Sequence, residues 1–315
     1  MDCYLNLQNN LSYKVPILVI SFNRPLHTQQ VLNQVRNTKP KKLYFFNDGP
    51  RKDNPFDLEK CQVIRSYIKN IDWDCEIKTM FQKDNLGCGL GPVKAINWFF
   101  KNEEEGIILE DDCLPDLSFF RYCEILLDKF RDDTRIFAIG GRNELGTYKD
   151  KKYSYYFFYE GLLGWATWRR AWKHFDYHIK DFGNEKLMEK FHNFYNNDPR
   201  LFLPVEKGCE KFLSDPDWGV WDYQWSFTRA INEGFVIIPS RNLVCNTGFG
   251  PEATHTTEKK SKRGKVKVYQ MKFPLIHNDN VNINWDLANK YLKFYKHSKI
   301  ILLYRYIKRI FKKIA

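Results

Sequence analysis

The stretch Ile107-Ile108-Leu109-Glu110-Asp111-Asp112 reads as a buried strand that ends in three consecutive carboxylates. Charge concentrated in this way is unfavourable unless a cation or hydrogen-bond donors neutralise it. Oxygen-only donors suit Mg²⁺ or Mn²⁺, and an ion with so few protein ligands completes its shell with phosphate oxygens and water. The same acids could form a solvated turn that caps the next helix, with Asp116 near that N-terminus. From the triplet alone both readings stay open.

Two further segments could carry chemistry. Trp218-Gly219-Val220-Trp221-Asp222-Tyr223-Gln224-Trp225 sets Asp222 among indoles at the start of a helix. Its ordinary role is a first-turn acid. Its chemical role would be a general base, because a carboxylate beside indoles loses solvation and gains proton affinity. Asn85-Leu86-Gly87-Cys88-Gly89-Leu90-Gly91-Pro92 is glycine-rich, yet it matches neither the dinucleotide fingerprint nor a P-loop. It reads as a tight loop or as a close backbone approach to a ligand. His255 and His277 are the other candidates for metal or phosphate contact, although a lone histidine is ordinarily structural or solvated.

Short apolar runs alternating with helical stretches must position these groups. Strands are expected at Val15–Phe22, Lys42–Phe46, Cys75–Phe81, Gly106–Leu109 and Ile136–Ile139, with helices near 25–37, 58–69, 93–102 and 117–130. Such alternation implies an α/β fold with a mostly parallel central sheet flanked by helices. Ligands of such sheets bind beyond the carboxyl ends of the strands. Asn23-Arg24, Asn47-Asp48 and Glu110-Asp111-Asp112 all fall there. Beyond Gly140 the pattern predicts an aromatic strand at Tyr153–Tyr159, an aromatic helix at Trp165–Phe175, a helix at Gly219–Asn232 and a strand at Phe235–Pro239.

A chain of 315 residues builds one large α/β domain with appendages or two average domains, and needs no staple to form a core. Its net charge of +12 suggests nucleic acid until it is located. Nine Lys/Arg and no acid lie from Lys290 onward, which leaves +3 for the preceding 289 residues. From Ile300 the apolar residues recur at helical spacing with basic residues opposite, so residues 299–315 are expected to form a basic amphipathic helix on an anionic membrane, or one packed on the domain. Residues 256–267 read as a mobile polar loop. No apolar run reaches the roughly 20 residues that cross a bilayer. The opening Met1-Asp2-Cys3-Tyr4-Leu5-Asn6 lacks a secretory pattern, and eight scattered cysteines without a CxxC pair suit a reducing, cytoplasmic compartment.

FNRP after the first strand, NDG after the second, NLG…AIN, EDDCLPDLSFFRY, GLLGWATW and WDYQWSFTRA occur in an order that resembles the N-acetylglucosaminyltransferase I family and its bacterial relatives, with wider similarity to family-2 glycosyltransferases. The likeness runs from about Val15 to Thr256. It implies the GT-A fold over residues 1–285, with 286–315 as the basic helix. It also implies an inverting, Mn²⁺- or Mg²⁺-dependent transfer from a UDP-sugar, N-acetylglucosamine leading, to a glycan or lipid-linked acceptor, with no nucleic acid partner.

Carried over residue by residue, Arg24 resembles the arginine that contacts the nucleotide and Asp48 the acid that hydrogen-bonds uracil. Asp112 matches the metal ligand, and Glu110 and Asp111 its neighbours facing sugar and ribose. Leu163 matches a residue near the donor sugar, and Thr254 a hydroxyl over the diphosphate. Asp222 matches the catalytic base, and Trp221 before it falls with the donor-binding residues. Tyr223 stands where the family usually has a second acid. A nucleic-acid-binding protein and a catalytically silent sugar-binding module are the competing readings.

Overall fold

The structure, a computed structural model, describes residues 13–148, 152–248 and 266–294. Strand β1 (Ile17–Ser21) is buried at every position, as a continuous apolar run must be when both faces of a sheet are covered. It pairs in parallel with β2 (Lys42–Asn47) and β4 (Glu105–Glu110), and β2 pairs in parallel with β3 (Glu76–Phe81). Helices α1 (Pro25–Thr38), α2 (Phe56–Ser66) and α3 (Gly87–Asn102) make the crossovers. Pro25 opens α1, where its missing N–H costs nothing.

After β5 (Cys113–Pro115) and α4 (Leu117–Lys129), the sheet continues with β6 (Ile136–Gly140), β7 (Tyr155–Phe158), β8 (Trp165–Trp168) and β9 (Phe235–Pro239). The eight strands lie in the order β3-β2-β1-β4-β8-β6-β9-β7. β8 runs antiparallel to both β4 and β6, and β7 antiparallel to β9, so the sheet is mixed. β5 forms a separate antiparallel pair with β10 (Val244–Asn246). Between β8 and β9 come α5 (Arg169–Trp172), α6 (Glu185–Phe194), α7 (Pro199–Ser214) and α8 (Asp222–Ile231); α9 (Trp285–Phe294) follows β10.

Alternate residues of each strand feed two cores. Leu18 and Ile20 face one that holds Phe99, Phe191, Phe202 and Trp225. Ile17 and Val19 face the other, with Val31, Ile64 and Leu126. Helix α9 joins the first core through Leu287, Ala288, Tyr291 and Leu292. The basic segment 299–315 and most of the polar stretch 256–267 lie outside the described residues. Among the described residues, no helix is long and apolar enough to cross a membrane.

Three expectations are corrected. Trp165–Trp168 is a strand, followed by a single helical turn, because it fills the gap between β4 and β6 and is buried at all four positions. A run buried on both faces carries no period that separates strand from helix. Helix α3 begins at Gly87, six residues before the expected start, through the glycine-rich segment. Helix α8 begins at Asp222, after a 3₁₀ turn that ends against Gly219 with φ +62°.

Candidate functional site

A cavity of about 750 Å³ opens beyond the carboxyl ends of β1, β2 and β4. Arg24, Asp48, Glu110, Asp111 and Asp112 reach its wall from the three strand ends. Leu163 enters from the loop between β7 and β8, and Trp221 and Asp222 from the start of α8. Of the candidate residues within the described part of the chain, all but His277 therefore line this one cavity. Thr254 and His255 lie outside the described residues. His277 lines neither this cavity nor its neighbour; its Nδ1 lies 3.1 Å from the Tyr155 hydroxyl.

The acidic triplet is organised by one cation. Arg24 donates from Nη2 to Asp111 Oδ1 and from Nη1 to Asp112 Oδ2, the latter at 3.1 Å. Asp111 Oδ2 accepts from the Phe22 N–H at 3.3 Å. Burial raises the Asp111 carboxyl, and Arg24 opposes that shift. Burial, then Asp112 and Asp111, hold Glu110 well above the usual carboxylate range. The triplet does not cap α4: Asp116 does, accepting from the Ser118 N–H at 2.9 Å. That leaves the three acids to the cavity.

Asp48 is the second organised acid. Its Oδ1 accepts from the Leu86 and Gly49 N–H groups, both at 2.9 Å, and its Oδ2 from the Gly87 N–H at 3.0 Å and from Asn85 Nδ2 at 3.0 Å. The Leu86 and Gly87 N–H groups are orphan donors at the start of α3, so a carboxylate distant in sequence does the work of a cap. Burial raises the Asp48 carboxyl, while those backbone donors and Arg65 pull it down. Gly49 could carry no side chain here, because a Cβ would collide with the backbone of Asp84.

Asp222 is exposed, whereas Trp221 is 8% exposed and stacks on Trp165 with ring centroids 6.0 Å apart. Trp221 and Trp225 are buried and Trp218 is half-buried, while Asp222 stays exposed, unlike the crowded setting the sequence suggests. A second cavity of about 510 Å³ adjoins the first, and both share Leu162, Leu163, Asp222, Tyr223 and Asn246. Asp222 thus stands on the boundary between two ligand-sized spaces.

Among the described residues, no group of three or more His, Cys, Asp or Glu forms a metal cage. The hard oxygens of Asp112 fit a divalent ion as a single protein ligand, provided the ion brings phosphate and water oxygens with it. Sequence reasoning missed Arg51, which also lines the first cavity and is clamped by Asp57, Nε donating to Oδ2 at 2.6 Å. Asn23 Nδ2 donates to the same carboxylate at 2.7 Å, tying the loops after β1 and β2 together. The only local signal was an arginine two residues after NDG.

No family model and no curated protein matches the chain. Among solved structures it is similar to HddC from Yersinia pseudotuberculosis, at 12% identity and a TM-score of 0.26, covering 36% of this chain and 55% of that one. The match thus spans about half the length of HddC, and a likeness so shallow carries no argument about what this chain does.

Proposed function

We propose that the protein is a GT-A-type, inverting glycosyltransferase that moves a sugar from a UDP-sugar to a hydroxyl of a glycan or lipid-linked acceptor. N-acetylglucosamine is the donor sugar that the sequence resemblance favours. The observation that carries this reading is the convergence of Arg24, the acidic triplet and Asp222 on one cavity whose far wall, at Asp222, opens into a second.

Each residue then has a task that follows from its surroundings. Arg24, fixed by two carboxylates, offers its remaining donors to the diphosphate. Asp48 shapes the nucleotide wall by holding the Asn85–Gly87 backbone. Asp112 is the residue that would hold Mn²⁺ or Mg²⁺; when bound, that ion stabilises the negative charge gathering on the leaving diphosphate. Asp222, open to both spaces, accepts the proton of the incoming hydroxyl. One base facing a leaving group on the opposite side of the anomeric carbon gives direct displacement, hence inversion. The basic segment 299–315 is proposed to dock the enzyme on an anionic membrane in the cytoplasm, on the strength of its sequence pattern alone.

Asp222→Asn tests the assignment. It should abolish sugar transfer while leaving UDP affinity, read by calorimetry, within about twofold of wild type. Unchanged turnover would sink it.

A further inference from the structure

The second cavity contains a charge that the transfer reaction does not use. Three arginines line it: Arg142, Arg200 and Arg229. Two are matched by carboxylates, Arg142 by Glu144 at 3.0 Å and Arg200 by Asp198. Arg229 is different. It is 1% exposed, its Nη1 donates to the Tyr159 carbonyl at 2.8 Å, and its Nη2 to the Ser226 hydroxyl at 3.3 Å. Its Nε has no hydrogen-bond partner, and among the described residues no carboxylate is hydrogen-bonded to it. Glu160 lines the same cavity, and its field favours the charged form of Arg229.

A guanidinium cannot shed its proton in a protein, so this charge persists despite burial. Buried charges are ordinarily paired, and leaving one with neutral partners is costly. Of five N–H donors, the Tyr159 carbonyl and the Ser226 hydroxyl take one each. A helix-dipole role at the end of α8 would not require burial beside a cavity.

Position adds direction. Asp222, Ser226 and Arg229 occupy i, i+4 and i+7 of α8, one stripe of the helix, and all three line the second cavity. Seven residues of helix advance about 10 Å, so Asp222 and Arg229 are rooted about two turns apart along the wall of a space of about 510 Å³.

We propose that the second cavity is the acceptor site and that it selects a sugar bearing an oxyanion, which Arg229 holds while the reacting hydroxyl lies at Asp222. This rests on the glycosyltransferase reading and adds the acceptor's chemical class to it. The oxyanion is a carboxylate, as in a hexuronic acid, or a phosphate, as in a glycosyl phosphate. Either accepts paired, charge-assisted hydrogen bonds from a guanidinium, whereas a neutral hexose offers hydroxyl oxygens without the charge.

Three probes separate these cases: a methyl hexuronoside, a hexose 1-phosphate and a methyl hexoside. Calorimetry on the unmodified protein with UDP present should give at least about tenfold tighter binding of one charged probe than of the neutral one. Whichever charged probe wins identifies the oxyanion. Arg229→Met should erase the preference and leave the neutral probe unchanged, and Arg229→Lys should keep part of it. Equal affinity for all three probes overturns the proposal without reference to any variant, so a variant that fails to fold does not shield it. A folded Arg229→Met that keeps the preference overturns the role of Arg229. These readouts need no turnover. If transfer itself is absent while the charged probe is still preferred, the glycosyltransferase reading fails and the anion site stands. Transfer to neutral acceptors alone has the opposite meaning.

Discussion

Gly248 lies against Asp112 so closely that a Cβ at this position would overlap the carboxylate oxygen Oδ2 and come within 2.8 Å of Arg24 Nη1. Gly248, two residues after β10, is therefore part of the packing that seats the Arg24–Asp112 pair, although it bears no chemistry. Gly248→Ala should displace that pair while leaving the cores untouched. UDP affinity is expected to fall about tenfold or more, with a stability change within about 1 kcal/mol. Calorimetric titration with UDP and urea unfolding check the two halves; wild-type affinity would show that the seating of Asp112 is irrelevant to the nucleotide.

Asp48 invites a different experiment, because its carboxylate serves backbone rather than side chains. Asp48→Ala leaves the Leu86 and Gly87 N–H groups without an acceptor at a partly buried helix start. Loss of a cap costs about 1–2 kcal/mol, and unsatisfied buried donors push the figure upward. Urea unfolding should show that loss, and nucleotide affinity should weaken with it because Asn85 and Gly87 also line the cavity. A stability equal to wild type would mean that water replaces the carboxylate without cost.

How much of this was legible in the sequence follows from which partners are near in the chain. The strand-end groups Arg24, Asp48 and Glu110–Asp112 could be placed on one edge because parallel strands joined by helices leave no other edge for them. The start of α3 could not be placed, since the carboxylate that satisfies Leu86 and Gly87 belongs to a residue far upstream. Trp165–Trp168 misled for a related reason: its neighbours in the sheet, not its own periodicity, make it a strand. Arg229 carries no signal in the sequence, because nothing in WDYQWSFTRA announces that Tyr159 and a cavity lie across from it.

Asp57 governs an acid-sensitive clamp. Burial pushes its carboxyl up, but hydrogen bonds from Arg51 and Asn23 win and hold it below the usual value. A folded-state pKa below the unfolded one stabilises the protein above the unfolded value, about 4, and the benefit disappears as pH falls through the folded one. Asp57→Asn should therefore destabilise the protein at pH 7, by about 1–3 kcal/mol from the lost charged hydrogen bonds. The gap between variant and wild type should start to narrow below about pH 4 and go on narrowing as pH falls through the folded-state value. Urea midpoints at pH 7 and pH 3.5 measure both; a gap independent of pH would assign the effect to shape and not to charge.

Asp112 has one oxygen turned to Arg24, and among the described residues its other carries a thiol contact alone, from Cys113 Sγ at 3.6 Å. A divalent ion held there would need phosphate oxygens to complete its shell, so ion and nucleotide should bind together and poorly apart. Wild-type protein in Mn²⁺ should bind UDP at least about tenfold more tightly than in EDTA. By linkage, UDP should raise Mn²⁺ affinity by the same factor. Asp112→Asn keeps the shape and an acceptor for Arg24 but removes the charge, and should abolish the Mn²⁺ enhancement while retaining the EDTA-state affinity. If wild type binds UDP equally in Mn²⁺ and EDTA, Arg24 alone manages the diphosphate charge. The acidic triplet would then serve to position that guanidinium.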